Sequence, residues 1–196
     1  MSHMHRICVF CGSSSGSSPV YRAAAEQVGR YLAARGIGVV YGGGKIGLMG
    51  ALADAALAAD GEVIGVIPGH LMAREIGHNG LTKMHVVNSM HERKAMMADL
   101  SDGFIALPGG FGTFEEFCEV LTWSQLGLHK KPCGLLNVAG YYSPLLEMFD
   151  HAVTEGFVRG ENRGIVLSHD EISKLVEMME RWLPVNVEKW LDARTR

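Results

Sequence analysis

Three short glycine-rich stretches and a few charged residues are the places where this chain could do chemistry. The stretches are Gly12-Ser13-Ser14-Ser15-Gly16-Ser17-Ser18, Gly42-Gly43-Gly44-Lys45-Ile46-Gly47 and Pro108-Gly109-Gly110-Phe111-Gly112-Thr113. Each follows an apolar run and precedes a helical pattern. Amides at a helix start carry partial positive charge, and glycine lets an anion approach them closely. A tight turn explains one such loop; three at the same sheet edge predict a ligand carrying a phosphate. The charged candidates are Glu116, the pair Arg93-Lys94, and Glu75 beside Arg74. Thr113 and Glu116 have the T-x-x-E spacing of a capping box, so the structural reading of Glu116 is a helix cap. Ser89 and Glu92 have the same spacing, which puts Arg93 and Lys94 in the first turns of a helix. Cations are disfavoured there by about 0.3–1 kcal/mol, so a pair held there at the ligand edge is a candidate contact for an anion or a transition state.

Several familiar chemistries fail on spacing. Gly42, Gly44 and Gly47 match G-x-G-x-x-G, but a dinucleotide site needs an acidic residue at the end of the following strand. That strand ends Ile67-Pro68-Gly69, with Asp60 and Glu62 at its other end. Leu48 follows Gly47 where a phosphate-binding NTPase loop requires lysine. A mononucleotide with a single phosphate fits better than NAD or ATP. Cys8-x-x-Cys11 has no second pair to complete a zinc site, and in a strand residues three apart point to opposite faces. His91-Glu92 lacks the second histidine of a metalloprotease motif. No cofactor and no metal site are expected, and the four cysteines read as reduced structural thiols.

The elements that must position these residues alternate in type. Strands are expected at Arg6–Phe10, Gly38–Tyr41, Val63–Ile67, Met84–Val87, Gly103–Leu107, Cys133–Leu136 and Ile165–Leu167. Helices are expected at Pro19–Arg35, Ile46–Ala59, Ser89–Leu100, Thr113–Leu126, Ser143–Glu155 and Glu171–Leu183. Most strands are continuous apolar runs, as when both sheet faces are covered. Repeated β-α order predicts an α/β fold: a doubly wound, Rossmann-like, mostly parallel sheet flanked by helices, with ligands at the carboxyl ends of the strands. The weakly patterned segment Pro68–Leu81 reads as a flap, and the stretch after Pro184 as a short amphipathic helix carrying Trp190.

The chain has 196 residues, 47% of them hydrophobic, with 25 glycines and a formal charge of −3. That length suits a single domain, residues 1–196, with Met1 to Met4 set aside. The charge argues against a nucleic-acid or membrane-surface protein. The start Met1-Ser2-His3-Met4-His5 has no apolar stretch of a signal peptide. A cytoplasmic protein is the expectation. Leu121, Trp123, Leu126 and Leu128 make an apolar stripe wider than packing on one sheet requires, which predicts a homodimer or an assembly of dimers.

Gly42-Gly43-Gly44-x-x-Gly47-Leu48-Met49-Gly50, Met90-His91-Glu92-Arg93-Lys94 and Pro108-Gly109-Gly110-x-Gly112-Thr113-x-x-Glu116 together resemble the LONELY GUY (LOG) family of cytokinin riboside 5′-monophosphate phosphoribohydrolases. The likeness runs from Ile7-Cys8-Val9-Phe10-Cys11-Gly12-Ser13-Ser14 to Gly134-Leu135-Leu136-Asn137-Val138 and Tyr141-Tyr142. The family is often labelled lysine decarboxylase, a label the glycine loops do not support. The resemblance implies hydrolysis of an N6-substituted AMP to the free base and ribose 5-phosphate, with Arg93 and Glu116 as the catalytic pair. It implies that Gly43, Gly44, Gly47, Gly109, Gly110, Gly112 and Thr113 hold the 5′-phosphate, with Ser14 and Pro108 in the same loops. Glu75, with Arg74, and Lys94 would line the nucleoside side. Two other functions on the same fold stay open: a broad AMP nucleosidase, and a non-catalytic carrier of a nucleotide or the molybdenum cofactor.

Overall fold

The computed structural model describes residues 4–72 and 77–184. The flap charges Arg74 and Glu75, and the expected helix after Pro184, lie outside the described residues. In chain order the elements begin β1 (Arg6–Phe10), α1 (Pro19–Ala34), β2 (Gly38–Tyr41) and α2 (Gly47–Leu57). There follow β3 (Val63–Pro68), α3 (Gly69–Met72), β4 (Lys83–Val87) and α4 (Met90–Asp99). The chain continues through β5 (Gly103–Ala106), α5 (Phe111–Gln125), β6 (Cys133–Leu136) and a 3-10 turn (Val138–Gly140). It closes with α6 (Ser143–Thr154), α7 (Gly160–Arg163), β7 (Val166–His169) and α8 (Ile172–Arg181).

The strands form one sheet in the order β4-β3-β2-β1-β5-β6-β7, and every neighbouring pair is parallel. The expected doubly wound architecture is therefore present. Strand β1 shows why the central strands read as unbroken apolar runs. Its Ile7 and Val9, with Cys11 just beyond, belong to the core under α1, α2 and α8. Cys8 and Phe10 belong to the opposite core, under α4, α5 and α6. Cys8 and Cys11 thus lie on opposite faces of the sheet, and burial pushes both thiols well above their ordinary value. The edge strands differ: β4 and β7 are only partly covered, and Lys83 on β4 is exposed, a charge of the kind that discourages edge pairing.

The sequence does not reveal α3 and α7, each a single turn of four residues and too short to show an amphipathic period. Helix α5 also starts earlier than the T-x-x-E spacing predicts. Its N-cap is Gly110 and its first residue Phe111, with no side-chain cap. Thr113 is therefore the third helical residue and Glu116 the sixth. Glu116 is too far along the helix to reach the N-cap amide, so the expected capping box does not form. The expected box at α4 forms in altered form. Ser89 accepts from the Glu92 amide at 3.1 Å, while the Glu92 carboxylate accepts from the amide of Asn88 at 2.9 Å.

The chain leaves β1 toward β2 on one side and reaches β5 on the other. The helices that follow β1 and β5 consequently pack on opposite faces of the sheet, at the point where strand order reverses. This is where an open α/β sheet forms its ligand crevice.

Candidate active site

Two adjoining clefts open at that reversal point, sharing Gly12, Ser13 and Gly110 in their walls. One, of about 320 Å³, contains Arg93, Glu116, Thr113 and Gly112, with Met49 and Met90 as apolar walls. The other, of about 270 Å³, contains Ser14, Pro108, Gly109, Tyr21 and Tyr141. The first and third glycine loops therefore meet as the sequence predicts. They are bonded to each other, the amide of Gly12 donating to the Pro108 carbonyl at 3.1 Å.

The second loop has a different place. Gly43, Gly44 and Gly47, expected at the phosphate, are absent from the walls of both clefts. The amide of Leu48, at the start of α2, donates to the Gly12 carbonyl at 3.0 Å. That helix start is thus used to hold the first loop. Gly47 is left-handed (φ +64°), and a Cβ there would overlap the backbone of Ser13. Gly44 forms an antiparallel bridge with Gly77, and the Gly43 carbonyl accepts from the His78 amide at 3.0 Å. The loop packs against its neighbours, Gly47 against Ser13 and Gly42 against Arg93. Close packing, which sequence spacing does not report, accounts for Gly42 and Gly47.

Arg93 is buried, 5% exposed, although it sits in the first turns of α4. Its Nε donates to the Val66 carbonyl at 3.1 Å and Nη2 to the Gly42 carbonyl at 3.0 Å. Carbonyls at the ends of β3 and β2 therefore compensate a cation that the helix N-terminus disfavours. Gly42 is required by this arrangement, since a Cβ there would overlap the guanidinium. Glu116 reaches the same cleft from the second turn of α5. Its charge adds to burial in raising the thiols of Cys8 and Cys11, as expected for a carboxylate beside the end of β1.

Lys94 does not join Arg93. Its ammonium donates to Glu115 at 2.6 Å and Glu119 at 3.0 Å on α5, and it lines neither cleft. Burial alone would lower its pKa, but the two carboxylates outweigh that and raise it above the ordinary value. Neighbours along α4 point different ways, and the acidic face of α5 claims this one.

The start of α5 is the part of the site best suited to an anion. Gly110 provides no side-chain cap, so the first helical amides are left without the partner that Ser18 and Ser89 supply to α1 and α4. A Cβ on Gly110 or Gly112 would meet nothing within 4 Å, and neither residue has a left-handed φ. The fold itself does not demand glycine at these two positions. Glycine at these positions leaves the backbone open to close approach by an anion. Thr113 is buried, with its side chain against Gly109. Tyr141, unassigned by sequence spacing, lines the second cleft and donates to the Gly109 carbonyl. It arrives from beyond β6, and only tertiary contact brings it here.

Among the described residues, no group of three His, Cys, Asp or Glu side chains is placed to share a metal ion. Among the described residues, no lysine lines either cleft.

Residues 49–179 match the family described as possible lysine decarboxylase. Among the described residues, neither cleft wall offers a lysine for the Schiff base such a reaction would use. In fold, the chain resembles the molybdenum cofactor carrier protein of Chlamydomonas reinhardtii (TM-score 0.70, 20% identity), across 91% of this chain and 98% of that one. It also resembles the molybdenum cofactor binding protein of Rippkaea orientalis (TM-score 0.67, 21% identity), across 92% and 98%. At those identities the likeness concerns the fold alone. Sequence likeness is much closer to plant proteins. The chain is 50% identical over 194 residues to the probable cytokinin riboside 5′-monophosphate phosphoribohydrolase LOGL2 of Oryza sativa subsp. japonica, covering 96% of this chain and 80% of that protein. It is 50% identical to the phosphoribohydrolase LOG of the same species, covering 93% and 76%. Against LOG7 of Arabidopsis thaliana it is 51% identical, covering 93% and 84%. The chain therefore belongs to the LOG family.

Proposed function

We propose that this enzyme hydrolyses the N-glycosidic bond of N6-substituted adenosine 5′-monophosphates, yielding the free base and ribose 5-phosphate. The observation that carries the reading is the convergence in one cleft of an uncapped helix start, the carboxylate of Glu116 and the fixed guanidinium of Arg93. The 5′-phosphate lies on the amides from Gly110 to Thr113, near Gly12 and Ser13. The ribose then faces Glu116, and the purine lies toward Met49 and Met90. Water adds across the C1′–N9 bond, hydroxyl to C1′ and proton to the purine. As the bond lengthens, the ribose gains oxocarbenium character and the purine gains negative charge. Glu116 stabilises the first, contacting the ribose or orienting the water. Arg93, held rigid by two backbone carbonyls, offsets negative charge without having to reorganise.

Binding energy from the remote phosphate orients the ribose for cleavage. The test is to incubate the protein with isopentenyladenosine 5′-monophosphate, AMP and isopentenyladenosine and to measure free base. Release chiefly from the N6-substituted monophosphate supports the reading. Comparable turnover of AMP makes it a broad nucleosidase. No base from any substrate favours a carrier. Activity is expected to survive EDTA; loss of activity restored by a divalent ion would overturn the expectation that no metal takes part.

The proposal extends to a cytoplasmic homodimer, or an assembly of dimers. Among the described residues no helix is long and apolar enough to cross a membrane. Leu126 and Leu128, at the end of α5, are 49% and 71% exposed, and Phe157 is 87% exposed. An apolar cleft of about 200 Å³ between α5, α6 and β7, with Leu121, Phe149 and Val166 in its wall, continues this side. Light scattering that reports a monomer at micromolar concentration would overturn the assignment.

A further inference from the structure

We propose that Tyr141 is a positioning residue: its hydroxyl sets the Gly109–Gly110 peptide so that the Gly110 amide faces the phosphate. The inference rests on the phosphate assignment made above and adds a residue to it. The turn after β6 is unusual in its backbone. Ala139 has φ 51° and ψ 32°, and Gly140 follows with φ 74°. A non-glycine residue in the left-handed region is uncommon and persists where its surroundings enforce it. Asn137 does so here. Its Oδ1 accepts from the Tyr142 amide at 2.7 Å, its Nδ2 donates to Ser143 Oγ at 3.2 Å, and its own amide donates to the His169 carbonyl at 2.9 Å.

The strained turn directs two adjacent tyrosines at the β5–α5 loop. Tyr142 donates to the Leu107 carbonyl at 2.6 Å, and Tyr141 donates to the Gly109 carbonyl. Between them, the Pro108 carbonyl accepts from Gly12. Three successive carbonyls of the loop therefore each have a partner from another part of the chain. The described peptides are all trans, and in a trans peptide the C=O and N–H point in opposite directions. Holding the Gly109 carbonyl on Tyr141 therefore turns the Gly110 N–H the other way. Gly110 is the third-loop residue common to both cleft walls.

The two tyrosines are not equivalent. Tyr142 is 1% exposed and packs in the core, whereas Tyr141 is partly buried and lines the second cleft. The Tyr141 ring is held edge-on against Tyr21 and Tyr142, with centroids 5.7 and 5.1 Å away. Removing only its hydroxyl leaves the ring held. The Gly109 carbonyl then loses its anchor, and the peptide can rotate to present oxygen where the amide had been.

The experiment compares wild type with Tyr141→Phe. It measures kcat/KM for isopentenyladenosine 5′-monophosphate and for its riboside, inhibition by inorganic phosphate, and melting. The expected result is a loss of about tenfold for the monophosphate, the scale of one hydrogen bond to a charged group. The riboside rate stays unchanged, phosphate inhibition weakens in step and melting hardly moves. Equal losses on both substrates would mean a general structural role and overturn the proposal, as would an unchanged preference. A second measurement is independent of the variant: adding phosphate to wild type should shift the Gly110 amide resonance. A wild type that is inhibited by phosphate without any change at Gly110 refutes the positioning role alone. A wild type with neither phosphate inhibition nor preference for the monophosphate refutes the phosphate assignment, and this proposal with it.

Discussion

Replacing Glu116 by glutamine separates a structural from a chemical role, because the two predict effects of different size. Glu116 is the sixth residue of α5, whose N-cap is Gly110. The macrodipole effect fades beyond the first turn. Glutamate and glutamine have nearly the same helix propensity. The residue is half-buried, so losing its charge there costs about 0–1 kcal/mol of stability, the scale of a solvent-accessible charge interaction. The stability loss is therefore about 1 kcal/mol at most, which for a chain of this length moves the melting point by roughly 2–4 °C. A carboxylate facing the ribose has a much larger effect on rate. Removing such a charge typically slows the reaction about 10²–10³-fold, or at least ~2.7 kcal/mol of barrier. The expected variant is folded, melts close to wild type, binds AMP and has a collapsed kcat. The assay is chromatographic release of base, alongside thermal melting and calorimetric AMP binding. Near-wild-type turnover in a folded Glu116→Gln enzyme would refute the role assigned here.

Gly112→Ala is expected to stabilise the protein by about 0.4–1 kcal/mol, because its added methyl meets nothing within 4 Å, while AMP binding weakens; unchanged AMP affinity by calorimetry would remove the close approach of phosphate to this helix start. Gly42→Ala is expected to displace the Arg93 guanidinium and to lower both melting temperature, through about 1–3 kcal/mol of overpacking, and turnover; an active variant with normal melting would show that Arg93 does not need its present seat. Burial holds the pKa of His129 below its ordinary value of 6.5, outweighing the bond to the Val120 carbonyl that would raise it, while nearby Lys131 lowers it further. The folded state therefore binds this proton less readily than the unfolded chain, so the contribution is fully present above the unfolded value and is lost as pH falls through the folded one. Denaturant unfolding from pH 7.5 to 5 should show a decline that is smaller in His129→Gln, and an equal decline in both would refute the assignment.

Much of this protein is legible in its sequence because the relevant physics is local. Continuous apolar runs such as Ile7-Cys8-Val9-Phe10 specify strands covered on both faces, and their alternation with amphipathic segments specifies a doubly wound sheet. Ser18-Pro19 and Ser89-x-x-Glu92 mark helix starts that the structure places within a residue of expectation. The paired motifs around Arg93 and Glu116 suffice to suggest the family. Spacing fails where a distant partner decides the outcome. Thr113-x-x-Glu116 has the pattern of a cap, but the Gly110 carbonyl accepts from the Phe114 amide and the helix begins before the threonine. The glycines of the second loop resemble those of a phosphate cradle, yet Ser13 packs against Gly47 and Arg93 against Gly42. Lys94 follows Arg93 in sequence, but Glu115 and Glu119 lie on the side toward which it points. No pattern along the chain links Tyr141 to Gly109, 32 residues before it. Their contact exists because β6 lies beside β5 and a left-handed turn at Ala139 directs the tyrosine back across the strand ends. Sequence periodicity records which face of an element is apolar, whereas the tertiary arrangement decides which polar groups from separate elements meet.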